Sequence, residues 1–229
     1  MVKENLKYLF DEINNCCEKF NRNIDDVKLI AVSKTIDIDK MLEAYDFGIR
    51  DFGENLTSEI KRKSALLSDY DINWHMIGQL QSNKVKDIID ITTLIHSVDR
   101  NSLIDEIEKR SEKLNKKTNI LIQINHTENL NRGGIASDDL KNIIKIISEK
   151  NHLNICGLMC VAPHVYEEKI IEEAFFNTFL LLEELKSAKI CNIKKPILSM
   201  GMSSDYKLAI KHGSTHLRIG SLIFGRRNY

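Results

Sequence analysis

The chain has 229 residues, which suits one large domain better than two small ones, because single α/β barrels run to about 200–250 residues. Its 33 Lys and Arg balance 33 Asp and Glu, and no block of like charge is long enough to bind a polyanion, so nucleic acid is not an expected partner. With 42% hydrophobic and 29% charged residues, the composition is that of an ordinary globule and excludes disorder over most of the chain.

Along the chain, Leu6, Leu9, Phe10, Ile13, Cys17 and Phe20 recur at helical spacing, and the short run KLIAVS at 28–33 then reads as a strand. The alternation continues with a helix over 38–45, a strand over 48–52, a helix from 55 to 67, a strand over 72–77 and a helix through 85–89. Next come a strand over 93–97, a helix over 102–114, a strand over 119–124, a helix over 138–148 and a strand over 153–158. A long helix over 167–185 precedes a strand over 196–199, a helix over 204–211 stopped by Gly213, and a last strand over 215–219. Eight strands result, each but the last followed by a helix, and several are the continuous apolar runs of parallel strands covered on both faces. That pattern predicts a single (β/α)₈ barrel, a TIM barrel, with an extra N-terminal helix, spanning 1–229 without a second domain. An open doubly wound sheet is the competing architecture, but its glycine-rich phosphate turn is absent after the first strand, where the chain reads SKTID.

The N-terminal MVKENLKYLFDEINNCCEKF lacks the apolar stretch of an export signal, and the most apolar run, 174–182, ends at Glu183 and Glu184. It falls short of the roughly 20 residues that cross a bilayer, so a cytoplasmic protein without a membrane partner is expected. Cys16, Cys17, Cys156, Cys160 and Cys191 form no CxxC pair and read as reduced core thiols, with no metal site. Two glycosylation sequons, at Asn55 and Asn125, carry no meaning in such a chain.

In a barrel, reactive groups gather where strands end and βα loops begin. Lys34 stands at the end of the first strand, where partial desolvation would leave more of the neutral amine that attacks a carbonyl to form a Schiff base. A lysine reaching from a strand end to solvent is the plainer alternative. Ser203 and Ser204 follow the seventh strand through Gly201 and offer hydroxyls and backbone N–H groups to an anion, although a serine helix cap with Asp205 at the helix start explains them equally. After the last strand, Gly220 and Ser221 would let backbone N–H groups approach a phosphate. Two anion signals opposite a candidate amine suggest an aldehyde phosphate, and pyridoxal 5'-phosphate fits. Arg218 facing a pyridine nitrogen would keep that nitrogen unprotonated and the ring a poor electron sink; a barrel-interior ion pair is its other reading. Gly53, Glu54 and Asn55, Trp74 and His75, and Gln79 to Lys84 are further candidates for the barrel mouth, with His75 reading as a hydrogen-bonded core residue.

These residues lie in segments that resemble the pyridoxal phosphate homeostasis protein family, also described as alanine racemase N-terminal-domain-like: AVSK at 31–34, FGEN at 52–55, WHMIGQLQSNK at 74–84, IHSVDR at 95–100 and a long block from Ser199 to Arg227. The resemblance implies one barrel holding pyridoxal phosphate as a reversible aldimine on Lys34. It further implies phosphate on Ser203, Ser204, Gly220 and Ser221, Arg218 at the pyridine nitrogen and Asn55 beside the ring. It implies a carrier in vitamin B6 homeostasis, without catalytic residues, exchanging the cofactor with amino acids and with apoenzymes that depend on it, and a monomer is expected. A weak amino-acid racemase acting at Cα is the alternative, against which stands the absence of a second acid/base group in a chain that ends soon after the last strand. A third reading is a barrel whose lysine takes a sugar phosphate without any cofactor. Departures from the family pattern are Leu56, Thr57 and Ser58 after FGEN, Arg132 in place of a lysine, and Cys160 in the loop after GLM.

Overall fold

The computed structural model describes residues 1–127, 133–163, 167–187 and 195–225. The predicted Arg132 and Cys191 features lie outside the described residues. Eight parallel strands close into a barrel in chain order: β1 (Lys28–Val32), β2 (Asp51–Glu54), β3 (Asn73–Met76), β4 (Thr92–Val98), β5 (Thr118–Ile124), β6 (Leu153–Cys160), β7 (Ile197–Ser199) and β8 (His216–Ile219). Closure is made by β1 on β8, with Lys28 opposite His216 and Ile30 opposite Arg218. The expected barrel is therefore the fold.

Helix α1 (Val2–Lys19) is the extra N-terminal helix, and its buried Leu6, Leu9, Ile13 and Cys17 form the stripe that the spacing predicts. The outer ring continues with α2 (Ile38–Phe47), α3 (Thr57–Leu66), α4 (Asn101–Lys113), α5 (Leu140–Ser148), α6 (Glu168–Ser187), α7 (Tyr206–Lys211) and α8 (Ser221–Phe224). Among the described residues no helix is long and apolar enough to cross a membrane.

Four expectations are corrected. Gly48 does not open a strand; it ends α2 at φ 119°, and β2 starts three residues later at Asp51. The segment after β3 is a 3-10 helix, Ser82–Asp87, whose buried Val85 mimics α spacing. β8 is followed by a helix after all, the one-turn α8. The helix expected from Ser204 begins two residues later, at Tyr206.

Gly157 shows how closely the strands approach: a Cβ there would come within 1.9 Å of the Ile197 carbonyl oxygen across the β6–β7 pair. Cys16, Cys17, Cys156 and Cys160 are all buried, as expected of core thiols.

Candidate functional site

The end of β1 is held by a buried ion pair. Lys63 of α3 and Glu54 of β2 are both 0% exposed and meet at 2.7 Å. The same lysine donates to the Ser33 carbonyl at 2.7 Å, and the Ser33 hydroxyl donates to Glu54 Oε1 at 2.7 Å. The Ser33 N–H also donates to the Gly53 carbonyl at 3.0 Å. Ser33 is thus tied to the neighbouring strand and to α3, and the next residue, Lys34, stands half-buried at the mouth.

Asn55 is set by packing. A Cβ on Gly78 would lie 2.3 Å from the Asn55 carbonyl oxygen and 2.7 Å from its Cα, so only glycine lets the loop after β3 rest on this backbone. That loop is fastened by Ser97 Oγ, which donates to the Gly78 carbonyl at 2.5 Å.

On the opposite side, Asp205 shapes the turn after β7. Its Oδ1 accepts the Met202 N–H at 2.7 Å and its Oδ2 accepts the Ser204 hydroxyl at 3.2 Å. Burial pushes the Asp205 carboxyl above its usual range, against the pull of those donors. The side chain therefore serves the loop, and Ser203 and Ser204 precede α7 in a turn; the reading of them as helix caps is not what the chain adopts. Gly220, between β8 and α8, packs on β1, where a Cβ would sit 3.1 Å from the Val32 carbonyl oxygen.

Arg218 is 4% exposed. Its Nη1 donates to Ser199 Oγ at 2.7 Å and its Nη2 to the Cys160 carbonyl at 2.9 Å. Among the described residues it meets no carboxylate at salt-bridge distance, so the interior ion pair considered for it does not form. Burial pushes its guanidinium down to about 10, which leaves it a cation at neutral pH.

These segments enclose a cavity of about 630 Å³ at the C-terminal end of the barrel, and all seven sequence-predicted residues line it: Lys34, Asn55, Ser203, Ser204, Arg218, Gly220 and Ser221. Val32, Ile77, Gly78, Met159, Val161 and Met202 complete its described wall. Gly53, Glu54, Trp74, His75 and the stretch from Gln79 to Lys84 do not reach it. Trp74 is buried against Phe52, and His75 lies between His96 and Asp51 inside the barrel.

Residues 10–228 match the family described as alanine racemase, N-terminal domain. A pyridoxal phosphate homeostasis protein of Aquifex aeolicus is 37% identical over 226 residues, 99% of this chain and 98% of that one. Another, from Helicobacter pylori, is 38% identical over 200 residues, 86% and 87% of the two chains. The chain belongs to the pyridoxal phosphate homeostasis protein family. Among solved structures, PipY of Synechococcus elongatus with PLP bound is similar at 31% identity and a TM-score of 0.85, covering 98% of this chain and 100% of that one. The alanine racemase of Clostridium difficile, at 14% identity and a TM-score of 0.74 over 99% of this chain and 60% of its own, shares the fold.

Sequence reasoning missed Lys63, which stands on the buried face of α3 between Ile60 and Leu67, the residue that caps the helix; a lysine at that apolar spacing was the available signal.

Proposed function

We propose that this member of the family holds pyridoxal 5'-phosphate in the cavity at the barrel mouth and serves vitamin B6 homeostasis without catalytic turnover, the whole chain acting as one binding unit. The observation that carries the reading is the convergence of all seven residues on one cavity. The donor set fits the group. Lys34 offers the amine, three serine hydroxyls and the close-packed Gly220 backbone suit a phosphate, and Arg218 is a buried cation that only donates.

Bound pyridoxal phosphate supplies an aldehyde carbon that bonds reversibly to an amine and a ring that can draw electrons from it. Lys34 holds that carbon. Ser203, Ser204 and Ser221 would hold the phosphate, Asn55 would border the ring, and Arg218, a buried cation that only donates, would keep a proton off the ring nitrogen. A ring held this way is a weak electron sink, which favours storage over chemistry at Cα. Among the described residues, the lining contains no Asp, Glu, His, Cys or Tyr to act as a second acid/base group. Free amino acids and apoenzymes that need the cofactor are then the partners that can remove it from Lys34, and a monomer suffices for that exchange.

The test is an absorbance spectrum of protein loaded with pyridoxal phosphate, then borohydride reduction and peptide mapping. The reading expects a visible band and an adduct on Lys34 that is lost in Lys34→Ala. An adduct spread over surface lysines overturns it. Solvent deuterium entering Cα of added amino acids at an enzymatic rate, dependent on Lys34, would replace the carrier by a racemase-like enzyme.

A further inference from the structure

Inside the barrel, below Arg218, a row of polar side chains occupies space that barrels of this kind usually fill with branched aliphatic residues. Arg218 Nη1 is 2.7 Å from Ser199 Oγ, and that oxygen is 3.0 Å from His96 Nδ1. His96 Nε2 is 3.0 Å from His75 Nδ1, and His75 Nε2 is 2.8 Å from Asp51 Oδ1. The row descends from the C-terminal end of the strands to Asp51, the first residue of β2, where Lys28 of β1 joins at 3.3 Å. Arg218, Ser199, His96, His75 and Asp51 are all buried and come from five different strands.

The direction of these hydrogen bonds follows from what each group can do. Arginine only donates, so Ser199 Oγ accepts from it. Among the described residues the one other partner of that hydroxyl is His96 Nδ1, and a buried O–H left without an acceptor loses its hydration uncompensated. The Ser199 proton therefore goes to His96 Nδ1. Burial holds His96 well below the usual histidine range, so the ring is neutral and its proton sits on Nε2, facing His75 Nδ1. His75 is left with its N–H on Nε2, and Asp51 accepts it. Every donor finds an acceptor in this order. The reverse order strands the Ser199 proton. Each link also turns its negative end toward Arg218 and its positive end toward Asp51, so the row acts as an extended ion pair for an arginine that touches no carboxylate among the described residues.

We propose that Ser199, His96, His75 and Asp51 form a one-way hydrogen-bond column that positions Arg218 in the cavity as the donor to the ring nitrogen of bound pyridoxal phosphate. The inference rests on the cofactor reading above. None of the four lines the cavity, so they are positioning residues that act through Arg218.

Two measurements test it. In the cofactor-free full chain, nitrogen NMR of His75 and His96 should show the hydrogen on Nε2 and none on Nδ1 in each ring. An imidazolium, or a proton on Nδ1, in either ring overturns the column. In loaded protein, Asp51→Asn and Ser199→Ala should shift the visible band and weaken cofactor retention about tenfold, the worth of one hydrogen bond to a charged group. Ser199→Thr, which keeps the hydroxyl, should restore both. Folded variants with an unchanged spectrum and retention within twofold of the parent overturn the inference while the parent's Lys34 adduct stands. Absence of that adduct in the parent instead removes the cofactor reading itself. Should the variants fail to fold, the NMR result on the parent chain still decides.

Discussion

Replacing Lys63 with methionine keeps the length of the side chain and removes its charge, which breaks the buried Lys63–Glu54 pair together with the bond to the Ser33 carbonyl and a longer contact with Glu59 at 3.5 Å. Both partners are 0% exposed, and Glu54 Oε2 has no hydrogen-bond partner among the described residues, so Glu54 already stands partly desolvated without compensation. In the variant, the Ser33 hydroxyl is left as the described donor to Glu54. Breaking one side of a buried pair costs about 3–5 kcal/mol because the surviving charge is uncompensated. For a chain of this size, at about 2–4 °C per kcal/mol, the melting temperature should fall by roughly 6–20 °C. Urea unfolding followed by circular dichroism measures the loss as a lower midpoint. The double variant Lys63→Met with Glu54→Leu should regain most of it, since an apolar pair of similar volume can replace a buried ion pair at little cost. Lys63→Met should also lower the yield of borohydride adduct on Lys34 at temperatures where the chain is still folded, because Ser33 loses its tie to α3. A single variant within 1 kcal/mol of the parent, or a double variant less stable than the single, refutes the reasoning.

Acidification should destabilise the barrel. Burial pushes His216 down to about 3 and holds His96 well below its usual value, so below about 6.5 the unfolded chain binds protons that the folded chain refuses. Stability then rises with pH between about 3 and 6.5, by up to about 1.4 kcal/mol per unit for each histidine, and unfolding midpoints measured across that range should be less steep in His216→Asn. Gly78→Ala forces a Cβ against the Asn55 backbone and should weaken cofactor binding. Gly48→Ala, at φ 119° with nothing within 4 Å, should cost about 1–2 kcal/mol of stability while binding titrations remain unchanged.

The barrel could be read from the sequence because its strands are short apolar runs separated by helical periods, and a parallel closed sheet needs nothing more specific. Boundaries slipped where one residue serves two patterns. Ile49 is apolar and buried yet lies in the turn after the left-handed Gly48, so the strand was placed too early. Val85 and Ile88 keep helical spacing although the segment closes as a 3-10 helix. The seven cavity residues were legible because they end a strand or lie in the loop that follows one, where a barrel gathers its side chains, and the family resemblance singled out Asn55 from Gly53, Glu54, Trp74 and His75, which do not reach the cavity. Asp51, His75, His96 and Ser199 were not legible as a group. His75 alone reads as a satisfied core histidine, which it is, but its partners lie 24 and 21 residues away and Ser199 lies 103 residues from His96. Only the stagger of the closed sheet brings them into one row.

The same row ties the stability of the barrel to the state of its mouth. Burial first, and then the nearby Arg218 charge, oppose protonation of His96, which faces His75 and Ser199 directly. A protonated His96 has hydrogens on both nitrogens, so Nδ1 no longer accepts from Ser199. The Ser199 hydroxyl, still accepting from Arg218, then has no described acceptor for its own proton. The proton that weakens the interior at low pH is therefore also the one that breaks the link between Arg218 and Asp51. Because the histidine is deeply buried and Lys34 stands at the mouth, cofactor orientation and barrel stability should be lost over the same acid range.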